Sequence, residues 1–251
     1  MKAIVLSAGQ GRRLLPRTER VPKCLLPVCG RPLIGRQIDA LAACGIVDVT
    51  VVVGFAAASV ETVLAELYGA ERARTLYNPY FGSSDNLVSC WVARVEMQQD
   101  FLLLNGDTLF SASVLEHLLS APAHPVTLAV SRKDRYDDDD MKVMLDGDRL
   151  VHVGKKLPPD RVQAESIGMM TFRGAGPQLF RDALERAIRT QEAQRQWYLS
   201  LIDTLAQRGV VFTRSIPSQG WTEVDTPEDL ERAATPGAPW LGVRVPPSVP
   251  V

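Results

Sequence analysis

A short apolar run at residues 2–6 breaks directly into Ser7-Ala8-Gly9-Gln10-Gly11-Arg12-Arg13-Leu14. No other feature of the chain constrains its fold as tightly. The run is too short for a helix and suits a buried parallel strand. The glycines after it demand a tight loop whose backbone N–H groups can face an anion. Gly9 and Gly11 permit a close backbone approach that a side chain would block. Arg13, and Lys23 within Val21-Pro22-Lys23-Cys24-Leu25-Leu26-Pro27-Val28, add cations suited to triphosphate oxygens. The loop is not a dinucleotide fingerprint, because Leu14 stands where the third glycine should fall. It is not a Walker loop either, because no Gly-Lys-Ser/Thr follows.

Downstream, the pattern alternates. Residues 32–43 carry a helical stripe (Leu33, Ile34, Ile38, Leu41, Ala42) closed by Gly45. Strands are expected at 49–53, 74–77 and 101–104, and helices at 59–67, 86–97 and 113–119, with Ser84 or Asp85 capping the second of these helices. Strand–helix alternation predicts a Rossmann-like α/β fold, a mainly parallel sheet flanked by helices, which binds ligands beyond the carboxyl ends of its strands. The second half is richer in strands: 126–131, 141–145, 150–153 and 166–172. Helices at 177–189 and 196–207, strands at 210–213 and 221–224, and a helix at 227–234 follow. The expectation is one domain over residues 1–234. Its nucleotide-binding half is 1–124 and its smaller acceptor-binding half 125–234, with a Pro-rich extended tail at 235–251.

Composition narrows the function. At 251 residues with 28 Lys+Arg against 29 Asp+Glu, the net charge is −1. That excludes nucleic-acid binding by bulk positive charge. No apolar run approaches the roughly 20 residues of a membrane helix, and the N-terminal run is too short for a signal peptide. A cytoplasmic protein is expected. Cys24, Cys29, Cys44 and Cys90 lack zinc-site spacing and read as small buried thiols.

Three further segments carry chemistry. Asn105-Gly106-Asp107 closes a buried strand, where a carboxylate can hold Mg²⁺ together with phosphate oxygens; the same tripeptide also suits a plain turn. Thr226-Pro227-Glu228-Asp229 reads as a helix start that leaves Asp225 free. Arg135-Tyr136-Asp137-Asp138-Asp139-Asp140-Met141-Lys142 is the one charge run. It is either a solvated loop or a surface that attracts a cationic acceptor with help from Tyr136. Lys142 and Lys155 could instead clamp an acceptor phosphate.

The stretch from Gly9 to Thr18, followed by Pro22-Lys23-Cys24-Leu25-Leu26-Pro27-Val28, resembles the signature of nucleotidyltransferases that activate sugar phosphates and related phosphorylated alcohols. That pattern is G-x-G-(Thr/Ser)-R-L-x-P-(Leu)-T, then P-K-x-L-x-P-V. Arg12 replaces the usual Thr or Ser, so no hydroxyl reaches phosphate there, and Arg17 replaces the common Leu. Tyr77-Asn78, with Ser84-Asp85-Asn86-Leu87-Val88-Ser89, resembles the Tyr-Asn…Asn-Asn-x-x-S segment of the phosphocholine cytidylyltransferase branch. Trp221-Thr222-Glu223-Val224-Asp225-Thr226 is similar to that family's metal-completing segment. The resemblance runs more loosely from Met1 to about Ala233.

The resemblance implies attack of an acceptor phosphate on the α-phosphorus of a nucleoside triphosphate. Arg13 would neutralise the leaving phosphates, and Lys23 would bridge the α-phosphate and the incoming one. Ala8, Gly9, Gln10, Gly11, Arg12, Asn86 and Gly106 would hold the nucleotide. Asp107 and Asp225 would bind Mg²⁺. Tyr136, Lys142, Lys155, Glu165 and Tyr198 would meet the acceptor, although Trp197 and Tyr198 read first as core residues of their helix and only second as an aromatic cage. The implied reaction transfers CMP from CTP to phosphocholine, with inositol phosphate or aminoethylphosphonate as close alternatives. A sugar-1-phosphate nucleotidyltransferase using UTP, dTTP or GTP, and a turnover-free nucleotide sensor, remain open. A homodimer is expected only by analogy.

Overall fold

The computed structural model describes residues 1–241. Its strands and helices in chain order begin with β1 (Lys2–Ser7), β2 (Pro27–Val28), β3 (Arg31–Pro32), α1 (Leu33–Ala43), β4 (Val49–Val53), α2 (Ala57–Arg72) and β5 (Ala73–Tyr77). Then come α3 (Asn86–Val92), β6 (Phe101–Asn105), β7 (Thr108–Phe110), α4 (Ala112–Leu119), β8 (Val126–Ser131), β9 (Lys142–Asp146), β10 (Arg149–Gly154) and β11 (Ala164–Phe172). The series ends with α5 (Gly176–Ala187), α6 (Leu199–Ala206), β12 (Val211–Ser215), β13 (Trp221–Glu223) and α7 (Pro227–Ala233).

Nine strands form one sheet in the order β5-β4-β1-β6-β11-β8-β12-β10-β9. The first four are parallel, and β11 enters antiparallel between β6 and β8. Burial on both faces explains why β1 and β4 read as near-continuous apolar runs, with Thr50 the one polar residue within β4. Ile4, Leu103 and Phe172 join one cluster, and Ala3, Val5, Leu102 and Leu104 the other. The far end of the sheet curls, because the start of β11 also pairs with β9 through Ala164 and Glu165. The chain leaves β1 toward β4 on one side and returns as β6 on the other. That reversal opens a crevice at the carboxyl ends of β1 and β6.

The mixed, mainly parallel α/β fold is the one the sequence predicts. Several boundaries differ. The helix expected at 86–97 stops at Val92 and tightens into a 3₁₀ turn, Ala93–Glu96. The helix expected from 196 begins at Leu199, because Gln191–Arg195 forms a separate 3₁₀ turn. The strand near 221 lies outside the main sheet; it pairs with β7, an element the sequence reading passes over.

The tail expected to be extended is not so over its first residues. Pro239–Leu241 forms a 3₁₀ turn, and Trp240 is 8% exposed. Its indole N–H donates to the Ala233 carbonyl at 2.8 Å. Trp240 closes a third cluster with Leu14, Leu26, Val28, Leu33, Leu109 and Val224. Residues 242–251 lie outside the described residues. Trp240→Ala is expected to destabilise by about 3 kcal/mol, lowering Tm by roughly 6–12 °C in a chain of this size. Because the cluster underlies the glycine loop, KM for nucleotide should rise as well. A thermal melt with steady-state kinetics checks both.

Candidate active site

Four charged side chains converge although their positions in the chain span more than 200 residues. The third cluster explains how. Arg13 and Lys23 sit on two 3₁₀ turns, Arg12–Leu14 and Lys23–Leu25; Leu14 of the first and Leu26, just after the second, are buried in that cluster. Asp107 precedes β7, which sends Leu109 into the same cluster, and Asp225 follows Val224, which does likewise. Burying the apolar neighbour at each turn leaves the adjacent charge facing the crevice.

The two aspartates are tied together through the backbone. Strands β7 and β13 pair antiparallel, with Glu223 opposite Thr108, and the Val224 N–H donates to the Asp107 carbonyl at 3.0 Å. Buried Gln37 of α1 clamps the turn before β7, its amide donating to the carbonyls of Asn105 (2.9 Å) and Thr108 (2.8 Å). Gly106 is obligatory here, since a Cβ would lie 2.2 Å from Ser7 Oγ and 2.5 Å from the Leu6 carbonyl. Thr226 and Asp229 form a capping box at the start of α7. Asp225 therefore stays free of capping, as its sequence context suggests.

Lys23 Nζ lies 2.8 Å from Asp107 Oδ2 and 2.7 Å from Asp225 Oδ1. Burial alone would lower its pKa; the pull of Asp107 and Asp225 outweighs burial and holds it above the usual lysine range. The Lys23 stem packs under Gly11, whose φ of 77° and lack of a Cβ are both needed, since a Cβ would come within 2.8 Å of Lys23 Cβ. Arg13 is 3.2 Å from Asp225 and 3.5 Å from Asp139. A cleft of about 410 Å³ joins Gly9, Gly11, Arg12, Arg13, Lys23, Asn86, Gly106, Asp107 and Asp225.

Two observations test whether a divalent cation suits this place. Asp107 Oδ1 is buried without a hydrogen-bond partner, and both carboxylates already converge on one cation, the Lys23 ammonium. Hard oxygen donors of this kind fit Mg²⁺. Among the described residues no cluster of three or more His, Cys, Asp or Glu could hold a metal by itself. A two-carboxylate site would thus draw its remaining ligands from phosphate and water.

A second cavity of about 480 Å³ shares Arg13 and Asp225 with the cleft. Asp137, Asp139, Asp140, Glu165 and Glu223 line it, with Trp221 as an aromatic wall. Lys133 Nζ bridges Glu165 and Asp140, at 2.8 Å from each. Burial, aided by Asp140, pushes the Glu165 carboxyl up to about 7 against the pull of Lys133. Burial, then Asp107 and Asp225, pushes Glu223 up to about 8.

Three expected site residues fall elsewhere. Tyr198 is fully buried, its hydroxyl donating to Asn105 Oδ1 at 3.0 Å, so it is a core residue and not an acceptor contact. Lys142 is 7% exposed and donates to the carbonyls of Asp137 and Lys155, so it pins the acidic loop and does not clamp phosphate. Gln10 turns away from the cleft and donates to the Thr18 carbonyl at 3.1 Å, bracing the glycine loop. Ala8 is buried beside the cleft. Asn86 lines the cleft, but its Oδ1 accepts from the Tyr198 N–H at 3.0 Å. Tyr136 packs near the Lys133 ammonium, 5.8 Å from its ring centroid, and reaches the cavity only through it. Lys155 pairs with Asp139 at 2.8 Å and lies over Trp197, which is 38% exposed and not core. Cys29 is likewise exposed, while Cys24 and Cys90 are buried. Glu223, Lys133, Trp221 and Gln37 escaped the sequence reading. Trp221 and Glu223, both in the Trp221–Asp225 segment, carried a signal.

Glu165 supports a pH prediction. Its folded pKa exceeds its unfolded value of 4.5, so the folded state binds the proton more tightly. The associated stability is full below pH 4.5 and is lost as pH rises through about 7. Glu165→Gln should remove that loss. The Tm difference between the variant and wild type is expected to shift in the variant's favour by roughly 2–4 °C from pH 6 to pH 8. A pH-independent difference would refute it.

A glycine loop at a sheet switch point thus lies beside Lys23, Arg13 and two convergent carboxylates. The chain belongs to the MobA-like NTP transferase domain family, matched over residues 3–205. It is 30% identical over 241 residues to CMP-5'-(3-aminopropyl)phosphonate synthase of Streptomyces rubellomurinus, covering 93% of this chain and 38% of that protein. It is 36% identical over 110 residues to choline-phosphate cytidylyltransferase of Streptococcus pneumoniae, covering 44% of this chain and 46% of that protein. The chain thus spans less than half the length of either relative. The solved CTP:phosphocholine cytidylyltransferase of Streptococcus pneumoniae shares the fold, with a TM-score of 0.78 at 21% identity over 93% of this chain and 97% of that one. No helix among the described residues is long and apolar enough to cross a membrane.

Proposed function

We propose that this chain transfers a cytidylyl group from CTP to the phosphate or phosphonate of a small amine, phosphocholine or an aminoalkylphosphonate, and releases pyrophosphate. The observation that carries the reading is the carboxylate-lined cavity beside the cleft. Asp137, Asp139 and Glu165, with Trp221 as a wall, offer an ammonium group both charge and an aromatic face. A sugar phosphate would bring no positive charge to this acidic wall, where, among the described residues, Asp139 and Glu165 have only Lys155, Arg13 and Lys133 as cationic partners. The names of the two curated relatives agree with an amine-bearing acceptor.

The chemistry asks for positioning and charge neutralisation, not for a covalent nucleophile. A phosphate monoester is largely dianionic near neutral pH, so its oxygen can attack the α-phosphorus without a general base. The new O–P bond forms as the α–β bridge bond breaks, and pyrophosphate leaves with that electron pair. Arg13 meets the leaving phosphates. Lys23 holds the α-phosphate against the acceptor oxygen. Backbone N–H groups of the Gly9–Gly11 loop orient the chain of phosphates. Asp107 and Asp225 would hold Mg²⁺, which when bound neutralises phosphate charge and polarises the phosphorus centre.

The test is pyrophosphate release with CTP and Mg²⁺ in the presence of phosphocholine, 2-aminoethylphosphonate or inositol phosphate, with UTP plus glucose-1-phosphate in parallel. Turnover confined to CTP with the amines is expected. Turnover only with the sugar phosphate would overturn the acceptor reading.

A further inference from the structure

We propose that the Lys133 ammonium occupies the place of the acceptor's own ammonium, and that the acceptor is a primary amine able to displace it. This deepens the amine-acceptor reading and rests on it. The second cavity already holds a cation of the right chemistry. Lys133 Nζ lies 2.8 Å from Glu165 and 2.8 Å from Asp140. The carboxylates are held without its help. Glu165 belongs to β11 and is paired there with Ser131 of β8 and Lys142 of β9; its side chain is 8% exposed. Asp140 accepts from the Asp137 N–H at 2.6 Å. Lys133 is the movable member. It lies past the end of β8, its side chain is 35% exposed, and its ammonium ends a flexible four-carbon stem. Swinging that stem outward opens the carboxylate pair to the cavity without moving the sheet.

The contacts say which cations can take over. At 2.8 Å each is a charge-assisted hydrogen bond from N–H to carboxylate. A primary ammonium carries three such donors, as lysine does. A trimethylammonium carries none, and its methyl groups hold carboxylate oxygens away from the nitrogen. Quaternary cations are taken instead by cages of aromatic faces. Among the described residues Trp221 is the one aromatic side chain lining the cavity. Tyr136 stands 5.8 Å from the Lys133 ammonium, at the outer limit of cation–π contact. Glu223 lines the same cavity, and among the described residues its carboxyl makes no hydrogen bond or ion pair. It offers a further acceptor to an incoming N–H.

Lys133 thus competes with the acceptor from within the chain. A tethered competitor acts at an effective concentration on the order of millimolar. Removing it should tighten acceptor binding. A lysine that only braced Glu165 would have the opposite sign, since its loss would weaken the site.

The experiment measures kcat/KM and KM for 2-aminoethylphosphonate and its N,N,N-trimethyl analogue, with CTP and Mg²⁺. Wild type is expected to favour the primary amine by about 100-fold. Lys133→Ala should lower KM for the primary amine by about tenfold. Glu165→Gln, which keeps the shape of the site and loses the charge, should bring the preference below about tenfold. Equal kcat/KM for the two acceptors in wild type, a KM that does not fall in Lys133→Ala, or an undiminished preference in Glu165→Gln would overturn the assignment. Thermal melts of Lys133→Ala with excess ethylammonium or tetramethylammonium chloride test the site without turnover. Ethylammonium alone should raise Tm in the variant, and neither salt should do so in wild type. Equal responses of the variant to the two salts would overturn the proposal. An ethylammonium-specific response without transfer to any amine would uphold the ammonium site and refute the cytidylyl-transfer reading.

Discussion

Lys23→Met is expected to lower kcat/KM by about 10³-fold and to make the thermal stability of the protein respond to Mg²⁺ more strongly than wild type does. Both effects follow from where the ammonium sits. It is 15% exposed and lies within hydrogen-bond distance of Asp107 and Asp225. Methionine keeps the length of the side chain and loses the charge, so two half-buried carboxylates are left facing each other. Breaking such a pair by removing one partner costs roughly 3–5 kcal/mol. In metal-free buffer Tm should fall by several degrees. Millimolar Mg²⁺ should recover part of the loss, because binding to the folded state alone stabilises by mass action. Wild type should gain less, since its ammonium already occupies the place between the carboxylates. Lys23→Arg should not restore activity: a planar fork replaces a compact point charge beneath Gly11. Melts with and without Mg²⁺, together with steady-state rates, check this. An unchanged kcat/KM, or the same Mg²⁺ response as wild type, would sink the assignment.

The glycine loop, Arg13, Lys23 and the parallel sheet were legible in the sequence because their signals are local. A buried strand, a turn that only glycine can make, and cations at fixed spacing all fall within about thirty residues. Asp107 and Asp225 were legible individually. Their approach was not, because it depends on a ribbon with only three residues per strand, linking segments more than a hundred positions apart. Three-residue strands carry too little periodicity to be read.

The misread residues share a cause. Tyr198 and Lys142 are residue types suited to ligand contact, and composition alone cannot say which way they point. In the fold, Tyr198 turns toward Asn105 and Lys142 toward backbone carbonyls. Trp197 reverses the error: its neighbour takes the buried position, and it is left exposed beside Lys155. Trp240 lay in a stretch whose proline and glycine content argues for extension. A single large apolar side chain overrode that composition by closing the cluster under the loop.

Asp107→Asn should lower kcat by about 10³-fold while leaving Tm within a few degrees of wild type. The substitution preserves shape, and the backbone around it is held independently of the charge. Gly106 fits against Ser7 with no room for a Cβ, and Gln37 clamps the carbonyls on both sides of the turn. What disappears is one negative charge and the unpartnered buried oxygen that suits a cation. Asp225→Asn should be similarly costly, and it also frees Arg13 from its 3.2 Å contact. If the two carboxylates form one centre, their losses will not multiply, because residues that act as a unit are non-additive. The double variant should then fall no more than about 10-fold below the worse single one. Saturating CTP and Mg²⁺ with an amine acceptor gives the four rates needed for the cycle. Losses that multiply would place the carboxylates in separate roles, and near-wild-type turnover in Asp107→Asn would remove it from the reaction.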